Sequence, residues 1–240
     1  MIELRRSDGR FARVGHRGAA ALAPENTPEA FELAVELGCD MLEFDVLALG
    51  DGTVVVAHDA RRMRDPGVVT LEHALAFFAE RLPGVGLQVD LKRRGIEPAV
   101  IEALRRHGVL ERSWVSGFDA DSLRRVAALE PALPRSFTLP RDRLGVSKRG
   151  PLAPLVRSAL RSIGASLPRR IPKLLARAGA TALTLHHSVA SQDAISRAHD
   201  LDVPVYVWTV DDRPTVERLV EWGADGIITN DPRVFTGLTT

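Results

Sequence analysis

Met41-Leu42-Glu43-Phe44-Asp45-Val46 puts two acids and three apolar side chains in strict alternation. On a strand, successive side chains point to opposite faces, so Glu43 and Asp45 share one face while Leu42, Phe44 and Val46 share the other. Leu87-Gln88-Val89-Asp90-Leu91-Lys92 repeats the pattern, with Gln88, Asp90 and Lys92 on the polar face. In a barrel the apolar set packs under the helices, and the carboxylates then face the barrel axis.

Working outward from these two runs, the same kind of short, β-branched segment recurs along the chain. Strands are expected at 11–15, 41–46, 87–91, 113–117, 133–138, 182–186, 203–209 and 226–229. Helical patterns lie between them at 28–37, 71–80, 97–107, 119–129, 191–200 and 213–222. Regular alternation predicts parallel strands joined by crossover helices. Eight such strands in 240 residues predict an α/β fold, a single (β/α)8 TIM barrel domain over 1–240. A doubly wound open sheet is the alternative, and no Gly-x-Gly-x-x-Gly follows a strand to support it. Thr27 before Pro28 reads as a helix N-cap, and Gly38 as the end of that helix. Asp51-Gly52 reads as a hairpin turn, making 53–57 a small extra strand.

Composition excludes several classes. With 45% hydrophobic and 26% charged residues the chain is globular rather than disordered. The single Cys39 rules out an internal disulfide framework and a Cys-based zinc site, and it reads as a small buried hydrophobe. No apolar run approaches a membrane span. Met1 to Gly9 has no apolar stretch behind its charges, so a secretory signal is not expected and the cytoplasm is the default compartment. Net charge +1 argues against a nucleic-acid partner.

The charge is uneven, however. Residues 135–178 hold eleven basic side chains and one acid, Asp142, while the rest of the chain has 30 acidic residues to 21 basic. With Pro140, Pro151, Pro154, Pro168 and Pro172, the segment reads as a partly irregular basic insertion after strand five. Leu152, Leu155, Val156, Ala159, Leu160 and Ile163 recur at helical spacing within it. They suit a surface helix, or an amphipathic helix lying peripherally on an anionic membrane surface.

Active sites of such barrels lie at the C-terminal ends of the strands. There the sequence places His16-Arg17-Gly18, Glu43 and Asp45, His58-Asp59, Asp90 and Lys92, Ser116-Gly117-Phe118, His186-His187, Trp208-Thr209 and Thr229-Asn230-Asp231. Glu43, Asp45 and Asp90 form an all-oxygen set whose mutual repulsion one divalent cation relieves, which favours Mg²⁺ or Ca²⁺ over zinc. The alternative is a closed salt-bridge network with Lys92, Arg17 and His16. His16 and His58 suit general acid–base work. Arg17 offers a fixed fork for phosphate oxygens, and Gly18 either lets backbone approach a ligand or only shapes a turn. Asn26 either braces the site or only shapes the turn before the first helix. His186, inward by alternation with Leu183 and Leu185, is a candidate substrate contact.

Taken together, His16-Arg17-Gly18, Pro24-Glu25-Asn26-Thr27, Glu43-x-Asp45, Asp51-Gly52 and His58-Asp59 resemble the N-terminal signature of the glycerophosphodiester phosphodiesterases. Asp90-x-Lys92, Trp208-Thr209-Val210-Asp211 and Gly223-Ala224-Asp225-Gly226-Ile227-Ile228-Thr229-Asn230 resemble its later motifs. The resemblance runs from about residue 12 to 234. It implies a (β/α)8 barrel and metal-assisted hydrolysis of a glycerophosphodiester to glycerol 3-phosphate and an alcohol. It implies His16 and His58 as general acid and base, Glu43, Asp45 and Asp90 as metal ligands, and Arg17 and Lys92 as phosphate-binding groups. Trp208 would pack on the glycerol part, with Glu25 and Asn26 in support. It also implies attack by the neighbouring glycerol hydroxyl, giving a cyclic phosphate that water opens.

The chain departs from that pattern in places. Asp90 and Asp211 stand where Glu and Asn are usual, and only 31 residues separate His58 from Asp90, where many members carry a longer insertion. A lysophospholipase D-type activity on membrane lysophospholipids is therefore an alternative, and a phosphodiester-binding barrel without turnover is one of another class. An amidohydrolase barrel is disfavoured, because strand one ends in His-Arg-Gly rather than His-x-His.

Overall fold

The computed structural model describes residues 1–5, 10–140 and 153–238, with side chains from 159 onward in the helix that begins at Ala153. The strands are β1 (Ala12–His16), β2 (Met41–Ala48), β3 (Val54–Val56), β4 (Val69–Thr70), β5 (Gly86–Leu91), β6 (Ser113–Gly117), β7 (Arg135–Leu139), β8 (Ala182–His186), β9 (Val205–Trp208) and β10 (Gly226–Thr229). Those at β1, β2 and β5 to β10 pair in parallel, and β1 pairs with both β2 and β10, which closes the barrel. The helices are α1 (Pro28–Glu36), α2 (Leu71–Arg81), α3 (Glu97–Arg106), α4 (Ala120–Leu129), α5 (Ala153–Ala178), α6 (Gln192–His199) and α7 (Arg213–Glu221). The fold is the expected TIM barrel.

Local chemistry sets the element ends. The Thr27 side chain accepts from Ala30 N, with Pro28 at the first helical position, so α1 starts there. At the other end of α1 Gly38 has φ +88°, which reverses the chain into β2 at no steric cost. β3 and β4 form an antiparallel flap on β2. Ala57 N donates to Asp45 O, which pins the end of β3 above the acidic face.

The barrel has two filled layers. Outside, Phe31, Phe44 and Phe78 meet edge-on or tilted at 4.9–6.2 Å between sheet and helices. Inside, the lower half is packed by Val14, Met41, Trp114, Tyr206 and Ile228, and Leu4 seals the base. Tyr206 fits because β10 offers glycine beside it: a Cβ on Gly226 would stand 2.2 Å from the ring. With the lower interior filled, the space inside the barrel lies toward the strands' C-terminal ends.

Residues 153–178 correct the expected insertion. They form α5, the crossover from β7 to β8 that the barrel requires, with Pro168 and Pro172 inside the helix. Each proline removes one backbone bond. Leu167, Ile171, Leu175 and Ala178, spaced four, four and three apart, are buried against the barrel and hold the helix across them. Arg141, Arg143, Lys148, Arg149 and Leu152 of the basic segment lie outside the described residues, as do the Leu155, Val156 and Arg157 side chains.

Candidate functional site

Strand register builds the site. Pairing places Asp45 beside Asp90, Glu43 beside Gln88 and His16 beside Glu43 on adjacent strands. All these side chains face inward at the upper end of the barrel. His16, Glu43, Gln88 and Asp90 line a pocket of about 410 Å³ together with Arg17, His58, Lys92, Ser116, Phe118, Thr138, Thr184, Trp208 and Ile228, while Asp45 is fully buried against Arg17 and Lys92 of that lining.

Three carboxylates dominate it. Glu43, Asp45 and Asp90 are buried and offer one oxygen each within 4.8 Å of one another. Two cations sit among them. Lys92 Nζ lies 2.5 Å from Asp45 and 2.5 Å from Asp90, and Arg17 Nε lies 2.9 Å from Asp45. Ser116 donates to Asp90 at 2.6 Å and Gln88 donates to Ser116 at 3.0 Å. The salt-bridge network read as an alternative from sequence is thus present. It does not balance: three acids face two cations. Burial, then Asp45, pushes the Glu43 carboxyl well above the ordinary range. Burial alone would also raise Asp45, but Lys92 and Arg17 outweigh it and hold that carboxyl far below its usual value. The charge left over is what a proton on Glu43 or a bound cation would neutralise.

His16 ends β1. Its Nδ1 lies 2.7 Å from Asn230 Oδ1 and its Nε2 3.9 Å from Glu43 Oε2. Burial, then Arg17, pushes it down to about 4. His58 stands across the pocket at the end of the flap, a third exposed, with Asp59 Oδ2 at 3.6 Å. Burial is the main force lowering it.

The turn after β1 carries strain that other residues absorb. Arg17 (φ +55°), Gly18 (φ +80°) and Asn26 (φ +62°) are all left-handed. Of the two readings of Gly18, the turn is the one its left-handed φ shows. A Cβ there would meet the backbone of Ala30 at 2.5 Å, so the glycine serves the seating of α1. Arg17 is fixed by Glu25 at 2.7 Å, by Asp45, and through its N–H to Glu43 at 3.1 Å. Asn26 both makes the turn and donates to Asp45 at 3.1 Å.

Trp208 lines the pocket and meets Phe118 edge-on at 5.9 Å. His186 is held back from the pocket wall. Its ring packs edge-on to Trp208 at 5.1 Å and its Nδ1 engages Ser188. His187 is exposed, with Nδ1 2.7 Å from Thr209 O. Sequence reading assigned no role to Phe118, Thr138, Thr184 or Asn230. Their signal was their place at inward positions or strand ends. Cys39 is buried, and burial pushes its thiol up to about 12.

Residues 16–70 and 88–234 match the model of the glycerophosphoryl diester phosphodiesterase family. A glycerophosphodiester phosphodiesterase of Caldanaerobacter subterraneus is 29% identical, across 94% of this chain and 96% of that protein. A phosphodiesterase of Oleispira antarctica, solved with its product sn-glycerol-3-phosphate, superposes with a TM-score of 0.71 at 22% identity, covering 92% of this chain and 94% of that one. A glycerophosphodiester phosphodiesterase of Parabacteroides distasonis gives 0.71 at 21% identity, covering 92% of each chain.

Proposed function

The chain belongs to the glycerophosphoryl diester phosphodiesterase family, and on that premise we propose that it hydrolyses a small glycerophosphodiester, such as glycerophosphocholine or glycerophosphoethanolamine. The products are glycerol 3-phosphate and an alcohol, and one Mg²⁺ or Ca²⁺ is the cofactor. The observation that carries this is the convergence of His16, His58, Arg17 and Lys92 on one pocket around a cluster of three buried carboxylates. Closure of β1 on β10 supports reading 1–240 as one domain.

Glu43, Asp45 and Asp90 would hold the cation. Their all-oxygen chemistry and their excess negative charge fit a hard divalent ion. Bound there, it would supply positive charge against the phosphate and acidify a nearby hydroxyl. The chain's own groups do the rest. Arg17 and Lys92 add positive charge for the phosphate oxygens. Trp208 offers an apolar face to the glycerol carbons. One histidine takes the proton of the glycerol hydroxyl as its oxygen attacks phosphorus. The other gives a proton to the departing alcohol oxygen, and the roles reverse when water opens the cyclic phosphate. Because nucleophile and phosphate belong to one molecule, the entropy of bringing them together is already met. Glu25 and Asn26 hold Arg17 and Asp45 in place. His186 acts on the alcohol side only through Trp208, its neighbour.

Glycerol 3-phosphate release from glycerophosphocholine tests this. Release is expected with Mg²⁺ or Ca²⁺ and is expected to vanish in excess EDTA. No release with any divalent ion would leave a barrel that binds phosphodiesters without turnover.

One observation favours a lysophospholipid as a second substrate. The outer face of α5 exposes Arg161, Arg169, Arg170, Lys173 and Arg177 with no acid on that helix. Among the described residues no helix is long and apolar enough to cross a membrane; the contact proposed is a peripheral one, at the cytoplasmic face. Co-sedimentation with phosphatidylglycerol vesicles is expected at low salt and is expected to fall with added salt. No binding at low salt would remove this reading.

A further inference from the structure

Resting on the proton-transfer reading above, we propose that Asp211 and Asn230 are positioning residues that hold His16 as its Nδ1–H tautomer, with the Nε2 lone pair kept on the pocket side. The two sit in the turns after β9 and β10, neighbouring strands of the barrel. Asp211 Oδ1 accepts from Thr229 Oγ1 at 2.9 Å and from the Asn230 backbone N–H at 2.8 Å. Asp211 Oδ2 accepts from Asn230 Nδ2 at 2.7 Å.

The chain of donors leaves no choice of direction. An ionised carboxylate has only acceptors, so the Asn230 amide must turn its NH₂ to Asp211. The flipped amide would set two acceptors 2.7 Å apart. With NH₂ committed, Oδ1 faces His16 Nδ1 at 2.7 Å. A carbonyl oxygen has no proton to give, so Nδ1 must carry one. A neutral imidazole has a single N–H, and Nε2 is therefore the acceptor.

His186 and His58 are held differently, whereas the exposed His187 gives its Nδ1–H to Thr209 O at 2.7 Å. The Ser188 N–H donates to His186 Nδ1 at 3.2 Å, which puts the proton of that ring on Nε2. His58 has the half-exposed Asp59 beside it at 3.6 Å, and among the described residues no side-chain amide fixes its ring. His16 is thus built to take the proton of the attacking hydroxyl, and His58 is left to deliver one to the alcohol. Asp211 also gives a physical sense to one departure from the resemblance. An asparagine there could present either its oxygen or its NH₂ to Asn230. The carboxylate presents oxygen only.

Imidazole ¹⁵N spectra of the full chain, labelled at histidine, test the relay. They are recorded alone and with Mg²⁺, and His16 is assigned by its loss in His16→Gln. The expected pattern is a protonated Nδ1 and an unprotonated Nε2. Asp211→Leu is expected to mix the two tautomers and lower kcat by about 10–100-fold with KM nearly unchanged. Asp211→Asn, which can still accept from Asn230, is expected to recover most of that loss. Circular dichroism monitors folding of each variant. A wild-type His16 protonated on Nε2, or an Asp211→Leu protein with tautomer and kcat unaltered, overturns the relay. If the wild type releases no glycerol 3-phosphate, the hydrolytic reading fails, and the ¹⁵N pattern still decides the relay independently.

Discussion

His16→Ala lowers kcat for glycerophosphodiester hydrolysis by about 10²–10⁴-fold, the usual weight of one general acid or base, and leaves the barrel folded. The ring ends β1 and faces the pocket, so its loss opens space that water can fill rather than a dry cavity. Its hydrogen-bond partner Asn230 keeps two bonds to Asp211, which also accepts from Thr229 Oγ1, so the turn after β10 stays in place. The substrate contacts proposed for Arg17, Lys92 and Trp208 are untouched, so KM is expected to move far less than kcat. Steady-state kinetics alongside a thermal melt check this. A variant within tenfold of wild-type kcat would exclude His16 from proton transfer. Asn230 cannot stand in as a base, because an amide does not take up a proton near neutral pH.

The barrel and its acidic heart were legible because both depend on period two. Glu43, Asp45 and Asp90 fall on inward positions of consecutive barrel strands, and parallel register alone then brings Asp45 beside Asp90. The crossover α5 was less legible. Pro168 and Pro172 break the helical signal, and only burial of Leu167, Ile171, Leu175 and Ala178 in tertiary contacts outweighs the missing backbone bonds. The packing at Gly18 was hidden for a related reason. Its constraint comes from Ala30, across a turn whose shape no local pattern specifies. Asn230 was visible as a motif residue, but its bond to His16 spans 214 positions and exists only once β10 closes on β1. Periodicity fixes which face a side chain takes. It does not say which loops meet above the barrel, and that is where the hydrogen-bond partners of the histidines lie.

The same closure makes Asp45 the residue on which fold and chemistry most depend. Its carboxylate is fully buried, 2.5 Å from Lys92 Nζ, 2.9 Å from Arg17 Nε, and accepts from Asn26 at 3.1 Å. Asp45→Ala leaves two cations facing each other with one shared partner removed. Breaking a buried pair in this way costs about 3–5 kcal/mol, or a fall of roughly 6–20 °C in Tm for a chain of this size. Glu43 tempers the loss, because Asp45 is one of the charges that raise its carboxyl, and an ionised Glu43 can partly take over Lys92. The drop should therefore lie towards the smaller end, yet activity should be lost altogether. Metal dependence separates the two roles. Wild-type protein is expected to gain about 2–3 kcal/mol at Ca²⁺ or Mg²⁺ a hundredfold above its dissociation constant, and Asp45→Ala is expected to gain nothing. Melts of both proteins in EDTA and in excess metal provide the comparison. A variant that loses stability but still responds to metal would keep Asp45 as a salt-bridge anchor and move the cation site to Glu43 and Asp90 alone. A variant that keeps its stability but loses the metal response would mean that Lys92 and Arg17 find other partners, so that Asp45 serves only the cation.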